Sequence, residues 1–227
     1  MTAGGVRPDG PRRGPRPRHS RVQVIGAAVA IADEQGLDAV TIRSVAARLG
    51  AGAMSLYSYV PDKQALIYDM VEQVSAELEL PPEPSGDWRA DLRLLAGRQR
   101  ALLHRRPWLI AATSHRQPLG PATLAYLEFT LAALEPTGLD AGTRLEAVGL
   151  LNGFVTSLVR AELADRDAPP RPEAASASQA QLAELLATGR FPRFAAALAA
   201  GGPPGIDLSE NFERLVDRVL DGLIGRD

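Results

Sequence analysis

Cysteine is absent from the 227 residues, so disulfides and thiolate metal sites are excluded. Histidine is scarce and scattered over His19, His104 and His115, so no metal site, and no other cofactor, is expected. No stretch of 18 apolar residues occurs, so no membrane span is expected. The start of the chain is rich in Arg and Pro but lacks the apolar segment of a secretory signal, and a reducing cytoplasm fits this composition. Motifs for catalysis are also missing: there is no G-x-S-x-G, no H-E-x-x-H and no P-loop. Gly50-Ala51-Gly52 begins a G-x-G, but no glycine follows at the sixth position and no strand precedes it, so an enzyme is not the expected reading.

The net charge of −2 is unpromising for a nucleic-acid binder, yet its distribution is uneven. Arg7, Arg12, Arg13, Arg16, Arg18 and Arg21 stand against Asp9 alone in the first 21 residues. With four prolines among them, residues 1–19 read as a disordered basic arm, either a DNA-tracking tail or a solubilising one. Beyond it, β-type alternation is nearly absent and 3.6-residue periodicity recurs, so the fold class is all-α.

Ser20 is placed to cap a first helix ending at Gly36, and Thr41 a second one closed by Gly50. The turn Gly50-Ala51-Gly52 leads to a very short helix from Ala53 to Tyr59, and Pro61 opens a fourth helix reaching about Leu78. Pro81, Pro82, Pro84 and Gly86 mark a linker. Further helices are expected near 87–105, 107–114, 121–135, 140–164, 178–200 (broken near Pro192) and 208–224, with a flexible polar loop at 165–177. The domains are therefore 20–79, a three-helix helix-turn-helix DNA-binding domain, and 87–227, a larger helical ligand-binding and dimerisation domain.

Two short helices joined by a tight glycine turn can lay the second helix in a major groove. Ala46 and Ala47 are small where those helices cross, and Leu49 and Leu56 are placed to pack inward. Here the chain resembles the tetracycline-repressor (TetR) family. The resemblance rests on Gly36, Thr41, the Ala46/Leu49/Gly50 step, Leu56-Tyr57 and Lys63, the only lysine present. It implies an operator-binding regulator with Tyr57 and Lys63 on backbone phosphates, Arg43 within reach of a base, and Ala53, Met54, Ser55 and Ser58 on the reading face. Tyr59 stands where many relatives have His or Phe. Thr41 can cap its helix and also meet a phosphate. Each role has a plainer alternative: an N-cap for Thr41, packing for Tyr57 and Met54, a solvated charge for Arg43.

In the larger domain, the resemblance implies a homodimer built from two helices of each subunit. Apolar stripes fit that role at Leu145, Val148, Leu151, Val155, Leu158 and Val159 and at Phe212, Leu215, Val216, Val219, Leu220 and Leu223, the last helix starting from an Asp207/Glu210 capping box. The alternative is that both stripes face their own core. Trp108, Thr113, His115, Tyr126, Phe129, Thr130, Asn152 and Thr156 are the candidate ligand-binding residues for a small-molecule effector. The drug-and-magnesium histidine of the tetracycline-repressor branch falls near Thr113, so neither tetracycline nor magnesium is expected here. The partners expected are double-stranded operator DNA, an unidentified effector and a second copy of the chain. A ligand-binding or interaction module without DNA binding is the alternative.

Overall fold

The computed structural model describes residues 19–113, 119–167, 172–200 and 211–225. Three features named above lie outside these residues: the arginines of positions 1–18, His115, and the Asp207/Glu210 capping box. Among the described residues the chain forms eleven α-helices and three 3-10 turns, with no strand. It divides into two units between Met70 and Val71.

The first unit is built from α1 (Arg21–Gln35), α2 (Ile42–Leu49), α3 (Ala53–Leu56) and most of α4 (Lys63–Ser75). Ser20 caps α1 reciprocally: its hydroxyl accepts the Gln23 N–H at 3.2 Å and Gln23 Oε1 accepts the Ser20 N–H at 2.8 Å. Thr41 does the same with Ser44 at the start of α2. Such caps are worth about 1 kcal/mol each. Gly50 adopts the left-handed conformation (φ 62°, ψ 32°) that ends α2 and starts the turn. The helix after it is shorter than expected, four residues, and 57–59 continue as a turn. The fourth helix begins at Lys63 rather than Pro61, because Asp62 Oδ1 accepts the Ala65 N–H at 2.8 Å and acts as its cap. Val24, Ala28, Val40, Val45, Leu56, Val60, Leu66 and Met70 form the core of this unit. Ala47 does not join the helix crossing but is exposed, and Leu49 is only half-buried.

The second unit comprises α5 (Trp88–Arg105), α6 (Trp108–Ala112), α7 (Pro121–Ala133), α8 (Ala141–Asp167), α9 (Pro172–Ala187), α10 (Pro192–Ala199) and α11 (Phe212–Leu223). α5 and α8 pack on each other, with α7 and α11 against both. Two expectations need correction. The polar loop of 165–177 is much shorter, since α8 continues to Asp167 and α9 starts at Pro172, where proline suits a first helical turn. The α8 stripe expected at a subunit interface is this chain's own core: Val148, Leu151, Val155, Leu158 and Val159 are buried, and only Leu145 faces out. On α11, Phe212, Val216 and Leu220 are buried, whereas Leu215, Val219 and Leu223 are half-exposed. By length and composition α8 could cross a bilayer, and its inner face packs on α5, α7 and α11.

One carboxylate is buried in the α5–α8 seam. Glu162 accepts Arg100 Nε at 3.1 Å and Nη2 at 2.8 Å and pairs with His104 Nε2 at 2.6 Å. Burial pushes its pKa up, but the bonds to Arg100 and His104 outweigh that and hold it below the usual carboxylate value. A depressed pKa contributes stability that is present above the unfolded value of about 4.5 and is lost as the pH falls through the folded one. Glu162→Gln should therefore cost about 2 kcal/mol in urea unfolding at pH 7, less than a fully buried pair because Arg100 and His104 can rehydrate. It should also flatten the loss of stability on acidification below about pH 4.5. An unchanged urea midpoint and acid limb would remove Glu162 from this role.

Candidate nucleic-acid interface and effector cavity

A helix of four residues cannot hold itself; its position comes from what it buries. Leu56 is fully buried, and so is Val60 just beyond it. With Leu56 turned inward, the neighbouring side chains must turn outward. Met54 is 81% exposed and Tyr57 48%, and Ser55 and Ser58 are exposed as well, while Ala53 is half-buried at the start of the helix. Met54 is therefore surface and not core. The serines are oriented by their own backbone: Ser55 Oγ donates to the Gly52 carbonyl at 2.6 Å and Ser58 Oγ to the Ser55 carbonyl at 2.7 Å, leaving their oxygens free to accept.

The remaining positions separate by what already holds them. Tyr59 is half-buried and its hydroxyl donates to the His19 carbonyl at 2.6 Å, so it fastens the start of the described chain. The Thr41 hydroxyl is engaged with Ser44 in the cap. Cations divide the same way. Arg21 is paired with Asp69 at 2.8 Å and Arg48 with Glu34, where the guanidinium holds the carboxyl below its usual value. Arg43 and Lys63 are exposed and make no ion pair among the described residues. Lys63 also opens α4, where the positive end of the helix dipole disfavours an ammonium group and favours an anion beside it.

In the second unit, a cavity of about 490 Å³ lies among α5, α6, α7 and α8. Leu78, Leu102, Leu103, Leu109 and Ile110 give it apolar walls. Four sequence-derived candidates meet there: Thr113, Tyr126, Asn152 and Thr156. Three others do not. Trp108, Phe129 and Thr130 are buried in packed interior away from it, and the Thr130 hydroxyl bonds the Tyr126 and Leu127 carbonyls of its own helix. Gln99, Ser157 and Arg160 line the cavity and were not among the candidates. The spacing of Asn152, Thr156 and Arg160, four apart, was the available signal.

The polar groups form a connected row. Tyr126 donates its hydroxyl to Asn152 Oδ1 at 2.6 Å, Thr156 Oγ1 bonds the Asn152 carbonyl at 2.8 Å, and Gln99 Nε2 reaches both Thr156 Oγ1 and the Asn152 carbonyl at 3.4 Å. Burial pushes the Tyr126 phenol up to about 12, the bond to Asn152 opposing this only in part. The cavity wall is thus uncharged there at neutral pH. A larger hollow of about 590 Å³ between α5 and α11 is lined by Arg93, Arg100, His104, Glu213 and Asp217. Its guanidiniums are already engaged, Arg93 with Asp217 and Arg100 with Glu162 and the Phe212 ring, so it suits a small organic guest less well.

Two family descriptions match the chain: "Bacterial regulatory proteins, tetR family" over residues 24–70 and "Tetracyclin repressor-like, C-terminal domain" over residues 80–226. An HTH-type transcriptional repressor, DrrR1, of Streptomyces coeruleorubidus is 36% identical over 94% of this chain and 80% of its own. Apo ActR of Streptomyces coelicolor superposes with a TM-score of 0.78 at 26% identity, over 93% of this chain and 98% of that one. ActR in complex with actinorhodin gives 0.74 at 26% identity, over 91% and 95%. A helix-turn-helix unit followed by a helical unit with its own cavity, matched along almost the whole length, places this chain in the tetR family of bacterial regulatory proteins.

Proposed function

We propose that the chain is a cytoplasmic, homodimeric repressor that holds a palindromic operator through two copies of the Thr41–Lys63 segment and leaves it when a small molecule fills the α5–α8 cavity. The observation that carries this reading is the outward face of α3 and the turn after it. Met54, Ser55, Tyr57 and Ser58 are presented to solvent by the burial of Leu56. Such a short, rigidly seated helix fits a major groove, with methyl and hydroxyl groups against base edges. Arg43 supplies a base contact and Tyr57 and Lys63 the phosphate contacts, with the N-terminus of α2 behind Thr41 offering backbone N–H groups. Tyr59 is left out of this set, because its hydroxyl is held by His19.

An inverted-repeat operator calls for a twofold protein. The surface that supports one is the outer face of α8, where Leu150 is 58% exposed and is followed by Phe154 and Ala161 in a single stripe, together with half-exposed Leu215 and Val219 on α11. Leu185, Phe191 and Phe194 on α9 and at the start of α10 add further uncovered apolar surface.

Release follows from a link inside the second unit. Glu72, on α4, accepts the Ala122 N–H at 2.8 Å and pairs with the Thr123 hydroxyl at the start of α7, taking the place of the side-chain cap that Gly120 lacks. Tyr126, one turn along α7, lines the cavity. ActR forms a complex with actinorhodin, and a comparable guest pressing on Tyr126 would displace α7, with α4 carrying the displacement to Lys63. A coupling of about 1–3 kcal/mol lowers DNA affinity about 5–150-fold.

Selection of bound duplexes from a random pool by the purified protein tests the reading, and an enriched inverted repeat is expected. Arg43→Ala should then relax one position in each half-site, losing about 1–3 kcal/mol of discrimination there. Lys63→Ala should weaken all sequences alike and reduce the salt slope by about one unit. A pool with no salt-sensitive binding at all would instead favour a module that does not bind DNA. Leu150→Arg should convert the dimer to a monomer in sedimentation and lower operator affinity at least about tenfold; a dimer that survives the substitution rules out this face.

A further inference from the structure

We infer that the effector of the α5–α8 cavity is a carboxylate on an elongated apolar body, and that Arg160 is the residue that selects for the charge. This deepens, and rests on, the reading of that cavity as the effector site. Among the described side chains lining the cavity, Arg160 alone is charged, and no acid accompanies it. The neighbouring arginines of the same unit are committed: Arg89 to Asp221, Arg93 to Asp217, Arg100 to Glu162 and Arg106 to Glu77. Arg160 has no ion-pair partner among the described residues and stands exposed at the cavity's edge.

The length of the guest follows from helix geometry. Asn152, Thr156 and Arg160 succeed one another four residues apart on α8, about 6 Å per step and about 12 Å from first to last. That matches a body of about three fused rings lying along the row, its apolar face on Leu102, Leu103, Leu109 and Ile110, its acid at Arg160. At the inner end the described residues of the wall supply neutral groups only. Tyr126 keeps its proton, its phenol being pushed up to about 12, and so sets no negative charge against an entering anion. Gln99 has slack to offer: its Nε2 contacts are long, 3.4 Å, and its Oε1 is buried with no hydrogen-bond partner. A guest hydroxyl that let this amide reorient would relieve that unsatisfied acceptor.

The test uses two fluorescent probes of one shape, anthracene-2-carboxylate and anthracene-2-carboxamide, titrated into the full-length protein at neutral pH and low salt. The carboxylate should bind at least about fivefold more tightly, as one charge-assisted contact at a partly exposed site allows. Arg160→Gln should bring the two affinities to within about a factor of two, and Arg160→Lys should keep their order. Equal affinities in the wild type, a preference that survives Arg160→Gln, or no uptake of the carboxylate up to about 1 mM would each overturn the inference. Gly153→Phe separates this failure from that of the cavity reading. Gly153 lines the cavity and has no atom within 4 Å of where a Cβ would stand, so a phenyl group can be housed there and should expel both probes. Probes expelled but never discriminated refute the anion alone; probes that stay bound in Gly153→Phe show that they sit elsewhere, and both readings fall.

Discussion

The third helix of this protein is too short to exist without tertiary support, and the burial of Leu56 supplies it. A four-residue helix has hardly more than one hydrogen-bonded turn, far from the length at which a helix is stable in water. Sealing one leucine contributes about 2 kcal/mol and fixes the rotation of the turn about its axis. Everything that faces outward on α3 does so because Leu56 faces inward, and the left-handed Gly50 sets the angle at which the segment leaves α2. What α3 presents to solvent is therefore a by-product of core packing in the first unit.

That dependence explains what the sequence disclosed. Caps at Ser20 and Thr41, the glycines at 36 and 50, and the inward Leu56 are local signals, each with its own chemistry, and the helices they delimit stand where those signals put them. Lengths were less legible where competing signals coexist. Pro61 is a good first helical residue, but Asp62 caps better, so α4 starts two residues later. The polar, Pro-rich stretch from Asp165 looks like a loop, yet α8 runs to Asp167 because its inner residues are already packed on α5.

The cavity was harder to read, for a different physical reason. Aromatic residues are equally suited to a pocket wall and to a packed core, and nothing local distinguishes Trp108 or Phe129 from Tyr126. Only the last has a hydroxyl that reaches a partner across the cavity, Asn152 on α8. The charged pairs behaved in the same way. Glu162 is an unremarkable acid in the sequence, and its burial between Arg100 and His104 appears only when α5 and α8 are set side by side. The interface stripe on α8 illustrates the general ambiguity: an apolar helix face states that it will be covered, not by what.

The bond from Tyr59 to the His19 carbonyl pins the backbone just ahead of α1. Two segments 40 positions apart in the chain, the entry to α1 and the turn after α3, are thereby held together by one hydrogen bond. Loss of the phenol alone would uncouple the entry of α1 from the turn after α3 while leaving the Ser20–Gln23 cap and the burial of Leu56 in place.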